Sequence, residues 1–301
     1  MVKCFVMVGL VGSGKSEQAK KLATEYNAEV FASDDLRAEM FGDVNHQADN
    51  DILFKELHKR VRECLASGKN AILDSTNISY KRRMSFLQSL NKIPCEKIAV
   101  LMATPYEVCL ERNKLRERKV PEEVIKRMYM NWNSPYWYEG WNNIQIVYSD
   151  KLEGSYGGVG DWLEYAMNYD QHNSHHALTL GEHCLKTFEY LDKQALPRWE
   201  IKTAALIHDC GKPQSATYIN SKGEQTKECH YYHHQYCGAY DSLFFRDIDD
   251  HLYVAQLIQY HMRPYLAWEQ SEKAMKKDRK LLGEKLFHDV LLLHEADKYA
   301  H

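Results

Sequence analysis

The segment Gly9-Leu-Val-Gly-Ser-Gly14-Lys15-Ser16 sets the first constraint on this chain. It follows an apolar run at residues 4–8 and precedes a helix-like pattern near 15–26. The spacing G-x-x-x-x-G-K-[ST] in a strand–loop–helix context defines a phosphate-binding loop. Gly9, Gly12, Ser13 and Gly14 let consecutive backbone N–H groups wrap phosphate oxygens, and the helix N-terminus adds a favourable dipole. Lys15 is expected to reach the β- and γ-phosphates, and the Ser16 hydroxyl to ligate Mg2+. The expected cofactors are therefore ATP or another nucleoside triphosphate, with Mg2+.

The rest of the front half agrees with that loop. Strand candidates at 4–8, 29–32, 71–74, 97–102 and 144–148 alternate with helix-like segments near 15–26, 48–67, 79–90 and 105–130. Such alternation predicts an α/β domain over residues 1–150, with a parallel sheet and flanking helices. Residues 154–160 contain four glycines, which break regular structure, so 151–170 is expected to be a linker. Beyond it β-branched runs vanish and helical spacing dominates, at 180–191, 201–207, 253–261 and 281–299. Residues 171–301 are expected to form an all-α domain.

Composition narrows the setting. Eight scattered cysteines without a Cys-x-x-Cys pair fit reduced thiols and a cytoplasmic location. No window approaches a membrane span, and Met1-Val2-Lys3 leads straight into a strand, so neither a membrane segment nor a leader is expected. Residues 1–150 carry 22 Lys/Arg against 20 Asp/Glu, and residues 151–301 carry 17 against 22. Long-range capture of nucleic acid is therefore not predicted, although a local patch can hold a few phosphates. Thirteen of the fifteen histidines lie between 172 and 301, which points to histidine chemistry in the back half.

The loop specifies a nucleotide but not an acceptor. Ser33-Asp34-Asp35-Leu36-Arg37 follows the second strand, where an α/β sheet places its ligand crevice. Either Asp34 accepts the proton of an attacking hydroxyl while Arg37 holds an acceptor phosphate, or the segment is a helix N-cap with solvated charges. Asp74 ends the apolar run 71–73 and leads into Ser75-Thr76-Asn77 and Arg82-Arg83; it orients either the Mg2+ shell or the acceptor arginine. Arg112 and Arg116 stand four apart and share a helical face, either as a lid over transferring phosphates or as a solvated face. The aromatic stretch Trp132 to Trp141 either stacks on bases or packs the end of the lid helix.

Together the phosphate loop, "SDDLR", "DSTN…KRR" and "RNKLRERKVP" resemble the phage-type polynucleotide 5′-kinases over roughly residues 1–150. The resemblance implies that Asp34 is the general base, that Arg37 contacts the acceptor's phosphate, and that Arg112 and Arg116 are the lid arginines. The implied reaction transfers the γ-phosphate of a nucleoside triphosphate to a 5′-hydroxyl end of RNA or DNA.

Enzymes of that kind often carry a phosphatase of the haloacid-dehalogenase type, marked by D-x-D-x-T, and no such motif occurs in this sequence. The nearest approach, Asp247-Ile-Asp249-Asp-His251, lacks the threonine and lies in a charged stretch expected to be helical. The back half instead offers His183, the pair His208-Asp209 and the distant Asp297, a mixed N/O set suited to Mn, Fe, Ni, Co or Mg. Further candidates are His261 and, in "HYYHHQYCGA", His234, with His233 or His230 as alternatives. Two neighbouring metals would bind both oxygens of a phosphate, and Lys212 could neutralise it. A lone buried histidine is more often a hydrogen-bonded core residue.

The ordered set resembles the HD phosphohydrolase superfamily across nearly all of residues 172–300, and within it the HD domain appended to some bacterial tRNA nucleotidyltransferases. That resemblance implies one divalent metal on His183, His208, Asp209 and Asp297, and a second site completed by His234 and His261. It also implies action on 2′,3′-cyclic phosphates or on 2′- or 3′-phosphates. The joint expectation is a bifunctional enzyme that heals RNA ends for a separate ligase. The alternatives are a nucleoside or nucleotide kinase fused to a nucleotidase, and a kinase with a non-catalytic helical binding module.

Overall fold

The computed structural model describes residues 1–46, 48–149, 157–173, 177–194 and 198–300. Backbone contacts divide the chain into two compact units, Met1–Ile125 with Pro135–Leu152, and Lys126–Ser134 with Glu153–His301.

The first unit is built on five parallel strands: β1 Val2–Val8, β2 Ala28–Ala32, β3 Asn70–Asp74, β4 Cys95–Ala103 and β5 Asn143–Tyr148. Their order is β2-β3-β1-β4-β5. Each coincides with an expected run, extended by one to three residues. β1 is central, and its residues 4–8 are buried because helices cover both faces. The helices are α1 Lys15–Tyr26, α2 Ser33–Phe41, α3 Asn50–Ala66, α4 Tyr80–Ser89, α5 Tyr106–Lys114 and α6 Glu122–Tyr129. Ala19 and Leu22 of α1 seal one face against Phe5, Met7, Ile72 and Val100. The strands' carboxyl ends share one edge, where such a sheet keeps its ligand crevice.

Two elements depart from expectation. Residues 33–41 form a helix whose N-cap is Ala32, so Ser33, Asp34 and Asp35 lie in its first turn and none of them is the cap. The pattern expected to run from 105 to 130 is broken at 115–121. There the Asn113 amide grips Val120 through both its carbonyl and its N–H, at 2.8 and 3.0 Å, and Pro121 forces a new start.

The second unit takes in the end of α6 and then α7 Val159–Met167, α8 Leu180–Lys193, α9 Trp199–Ile207, α10 Lys212–Ser215, α11 His234–Asp241, α12 His251–Tyr260, α13 Glu272–Leu282 and α14 Glu284–Tyr299. Helix α7 falls inside the span expected to be linker and packs on α8 and α9. The centre is the mutual packing of α8, α9, α12 and α14. The expected helix 281–299 is two helices, parted at Gly283, whose φ is 77°. Residues 247–250 are not helical; Asp247 instead accepts from the Val159 N–H at 2.9 Å, and Asp250 caps α12.

The unit is helical but not purely so. Strands β6 Thr217–Ile219 and β7 Gln225–His230 form an antiparallel hairpin. Its residues are largely polar or solvent-facing, so no buried alternation announces it. Its turn is set locally, with Asn220 Oδ1 accepting from the N–H groups of Lys222 and Glu224 at 2.9 and 3.0 Å. Among the described residues no helix is long and apolar enough to cross a membrane. All eight cysteines are free and buried.

One close approach fixes the middle of this unit. A Cβ on Gly211 would lie 2.1 Å from the His234 carbonyl oxygen and 2.6 Å from the Gly238 nitrogen, both main-chain atoms that cannot swing aside. The loop after α9 therefore lies directly on α11. Gly211→Ala is expected to destabilise the protein by about 1–3 kcal/mol, as overpacking does, read as a lower urea midpoint. An unchanged midpoint would show that the two backbones can part cheaply.

Candidate active sites

The phosphate loop bridges β1 and α1. Gly12 and Gly14 have φ of 82° and 88°, which L side chains rarely adopt. A Cβ on Gly12 would also stand 2.4 Å from the Cys109 carbonyl oxygen. The loop is braced by Gly9 N–H to Thr76 O at 3.0 Å and by Thr104 Oγ1 to Ser13 O at 2.9 Å. Lys15 is buried at the start of α1 and donates to Leu10 O at 2.6 Å. Burial lowers its pKa, and the Asp74 carboxylate at the end of β3 opposes that shift. Ser16 is exposed in the first turn of α1.

Arg112 leans over the loop. Its Nη2 donates to Ser149 Oγ at 2.9 Å, and its Nη1 would be 3.6 Å from a Cβ on Gly14. Arg116 does not share a helical face with it, because α5 ends at Lys114. From the bend beyond, its charge still reaches Lys15 and works against the ammonium. Both arginines thus attend the loop, but by different backbone routes.

On the acceptor side Asp34 is held twice through the same oxygen. Arg37 Nη1 lies 3.0 Å and Arg118 Nη1 2.7 Å from Oδ1. Arg37 is buried and also donates to Asn50 Oδ1 at 2.9 Å, while Arg118 Nε donates to Asn45 Oδ1 at 3.0 Å. Arg118 carries no local sequence signal, because nothing nearby in the chain ties it to residue 34. Arg83, quoted with the candidate motif, is elsewhere engaged. It is buried in a bidentate pair with Glu139 at 2.7 and 2.6 Å and donates to Asn77 O. Trp132 and Trp141 are likewise buried in packing, with Nε1 atoms on Ser134 and Glu139, so neither presents a face for bases.

In the second unit six ligand-type side chains from α8, α11, α14 and the ends of α9 and α12 converge. His183, His208 and Asp297 place one ligand atom each within 4.8 Å of one another, and so do Asp209, His234 and His261. Asp209 touches both groups: its Oδ2 is 3.6 and 3.5 Å from His183 and His208 Nε2, and its Oδ1 is 3.1 and 3.7 Å from His234 and His261 Nε2. His183 Nε2 is 3.1 Å from Asp297 Oδ1.

Helix ends supply the aim. His208 and His261 each follow the last residue of a helix, α9 and α12. Their Nδ1–H groups donate to the otherwise orphaned carbonyls of Ala205 and Ile258, at 2.9 and 2.7 Å. His234 Nδ1 does the same to Tyr231 O at 2.7 Å. Each such bond fixes the ring and turns Nε2 inward, the orientation that metal-bound histidines require. His233 has φ 66° and caps α11, and His230 meets Thr226 Oγ1 at 3.1 Å, so His234 is the histidine of that run placed at the centre.

Charge is balanced within the cluster. Burial would raise the Asp209 pKa, but Lys212, His208 and His234 together outweigh it and hold the carboxyl well below its usual range. At His208 burial acts downward, but Asp209, Cys184 and Asp297 together outweigh it, and the ring sits well above its ordinary value. Burial lowers His183, and it takes His261 to about 3 with help from His234 and His208. Lys212 Nζ is 2.7 Å from Asp209 Oδ2 and 2.7 Å from Gln171 Oε1, fixed between them. The donor set fits divalent cations: imidazole Nε2 and carboxylate oxygens face one another with no thiolate among them.

Comparison with known proteins finds two family matches in the chain. Residues 5–135 match the AAA domain family, and residues 180–301 match the HD domain family. The L-seryl-tRNA(Sec) kinase of Methanococcus maripaludis is 24% identical over 155 residues, covering 50% of this chain. This chain spans only 60% of that kinase's length. Among solved structures, a gluconokinase from Sinorhizobium meliloti 1021 aligns at 18% identity and TM-score 0.37, over 50% of this chain and 83% of that one. A chain of the Pnkp1/Rnl/Hen1 RNA repair complex aligns at 24% identity and TM-score 0.37, over 43% of each.

Asp209, Cys184 and Asp297 together favour the protonated ring of His208, so a cation binding there competes with a proton. Adding Mn2+ to metal-free protein near neutral pH is expected to release about one proton per chain, and binding should tighten as pH rises. Calorimetric heats that scale with the ionisation enthalpy of the buffer would report this. Heats independent of the buffer would contradict it.

Proposed function

Because the chain joins a P-loop domain to an HD domain, we propose that it heals nucleic-acid ends. The first unit phosphorylates a 5′-hydroxyl, and the second hydrolyses a 2′,3′-cyclic phosphate or a terminal phosphomonoester. The observation that carries this reading is Asp34 between Arg37 and Arg118. A sugar acceptor needs a base alone. A base flanked by two guanidinium groups suits a hydroxyl whose own molecule carries phosphate close by. RNA is the preferred acceptor, since a 2′,3′-cyclic end requires a ribose 2′-oxygen. The relative named for a tRNA-borne acceptor points the same way.

In the kinase step the loop N–H groups and Lys15 hold the triphosphate, with Ser16 and Asp74 the residues to hold Mg2+. When bound, Mg2+ neutralises charge on the β- and γ-phosphate oxygens. The acceptor oxygen bonds to the γ-phosphorus as the bond to the β–γ bridging oxygen breaks, and the hydroxyl proton passes to Asp34. Both arginine contacts fall on Oδ1, which leaves Oδ2 to accept that proton. Arg112 and Arg116 stabilise the charge on the transferring group.

In the HD site His183, His208, Asp297 and Asp209 Oδ2 would hold one divalent cation, and His234, His261 and Asp209 Oδ1 a second. Cations there supply Lewis-acid polarisation of the phosphate and a nucleophilic hydroxide at neutral pH. The chain's own part is to fix the imidazole lone pairs and to set the Lys212 charge beside the phosphate.

The two activities should separate cleanly. Asp34→Asn is expected to lower phosphorylation of a 5′-hydroxyl RNA oligonucleotide by about 100- to 10,000-fold, as loss of a general base does, while phosphate release from a cyclic-phosphate oligonucleotide is unchanged. Asp209→Ala should do the reverse, abolishing metal-dependent hydrolysis with kinase activity intact. A kinase that accepts mononucleotides but not oligonucleotides would sink the end-healing reading and favour nucleotide metabolism.

A further inference from the structure

Among the described residues three buried side-chain polar atoms lack a hydrogen-bond partner: Arg37 Nε, the Tyr265 hydroxyl and His294 Nδ1. The last two are neighbours. The Tyr265 and His294 rings meet edge to face, 4.2 Å apart at 77°. His294 is one helical turn before Asp297 on α14, so both lie on the same face. The Tyr265 hydroxyl lies against the Asp297 carboxylate without reaching hydrogen-bond geometry, and Asp209 also acts on it through charge.

The backbone that carries Tyr265 is unusual. Pro264–Trp268 is a π-helix, beginning three residues after His261 and closed by Glu269 N–H to Pro264 O at 3.1 Å. Such wide turns are rare and concentrate at functional sites. Asp278 on α13 clamps both ends through one oxygen, accepting from Arg263 Nε at 2.6 Å and Trp268 Nε1 at 2.9 Å. A buried hydroxyl without a partner costs stability. Here a held segment of rare geometry keeps one at the edge of the metal-ligand cluster.

We infer that Tyr265 is a substrate-binding residue of the HD site, whose hydroxyl donates a hydrogen bond to an oxygen of the bound phosphate from the Asp297 side, while Lys212 serves the Asp209 side. This rests on reading the site as a phosphohydrolase. A neutral phenol is a donor suited to an anionic oxygen, and imidazoles and carboxylates already fill the metal-ligand role. His294 packs against the phenol ring and fixes its direction.

Tyr265→Phe tests the idea in the full chain, since it removes the hydroxyl and keeps the ring that packs on His294. Metal content and kinase activity should stay at wild-type values, and the urea midpoint at or above the wild-type one. Inorganic phosphate binding to the Mn2+-loaded protein should weaken about 10-fold or more by calorimetry, and kcat/KM on a cyclic-phosphate oligonucleotide should fall about 10- to 100-fold, the worth of a hydrogen bond to a charged group. Equal phosphate affinity in variant and wild type overturns the inference, as does wild-type protein that binds metal but no phosphate. Loss of metal from the variant also overturns it, by making Tyr265 structural. Wild-type protein that binds phosphate through Tyr265 yet cleaves no ester leaves the inference standing and defeats the phosphohydrolase reading instead.

Discussion

Asp209 divides its two oxygens between two pairs of histidines, and the second unit is arranged around that division. Four imidazoles, two carboxylates and an ammonium have been taken out of water here, which is costly unless each charge is answered locally. Lys212 and His208 answer Asp209, while His183 and His261 are kept neutral by burial and by their neighbours. The helices carry out the placement. Two of the histidines occupy helix ends, where their Nδ1–H groups satisfy carbonyls that would otherwise be orphaned, so capping and ligand orientation are one hydrogen bond. Gly211 completes this arrangement by letting the loop that carries Asp209 rest on the backbone of α11.

The first unit solves a different problem, that of gathering negative charge at the carboxyl edge of a sheet. Two left-handed glycines turn main-chain N–H groups toward one volume, and Lys15, Arg112 and Arg116 attend the same loop. Arg37 and Arg118 share one oxygen of Asp34. Arg83, by contrast, is consumed by Glu139 and serves the turn after β3. Neighbouring arginines in one short motif thus have unrelated duties, decided by what packs over each.

The elements legible in the sequence are those whose cause is local. The five strands announce themselves as short apolar runs, and the phosphate loop needs its glycines whatever surrounds it. In helix α2 the apolar residues fall at 36, 38, 40 and 41, which shows no clear helical period, and the hairpin at 217–230 keeps most of its side chains in solvent. The span 151–170 reads as linker because its glycines come first, although Val159, Trp162 and Ala166 then bury one side of a helix. Choosing His234 over its neighbours required knowing that His233 turns left-handed to start α11. Arg118 and Tyr265 carry no local signal: one meets its partner across 84 positions, and the other depends on a π-turn that no simple periodicity encodes.

The most direct test of the account concerns Asp209 as a shared ligand. Metal-free protein loaded with Mn2+, freed of excess ion and measured by elemental analysis and electron paramagnetic resonance, should hold two Mn2+ per chain with an exchange-coupled signal. A single uncoupled Mn2+, or none retained, would contradict the claim that one carboxylate joins two cation sites.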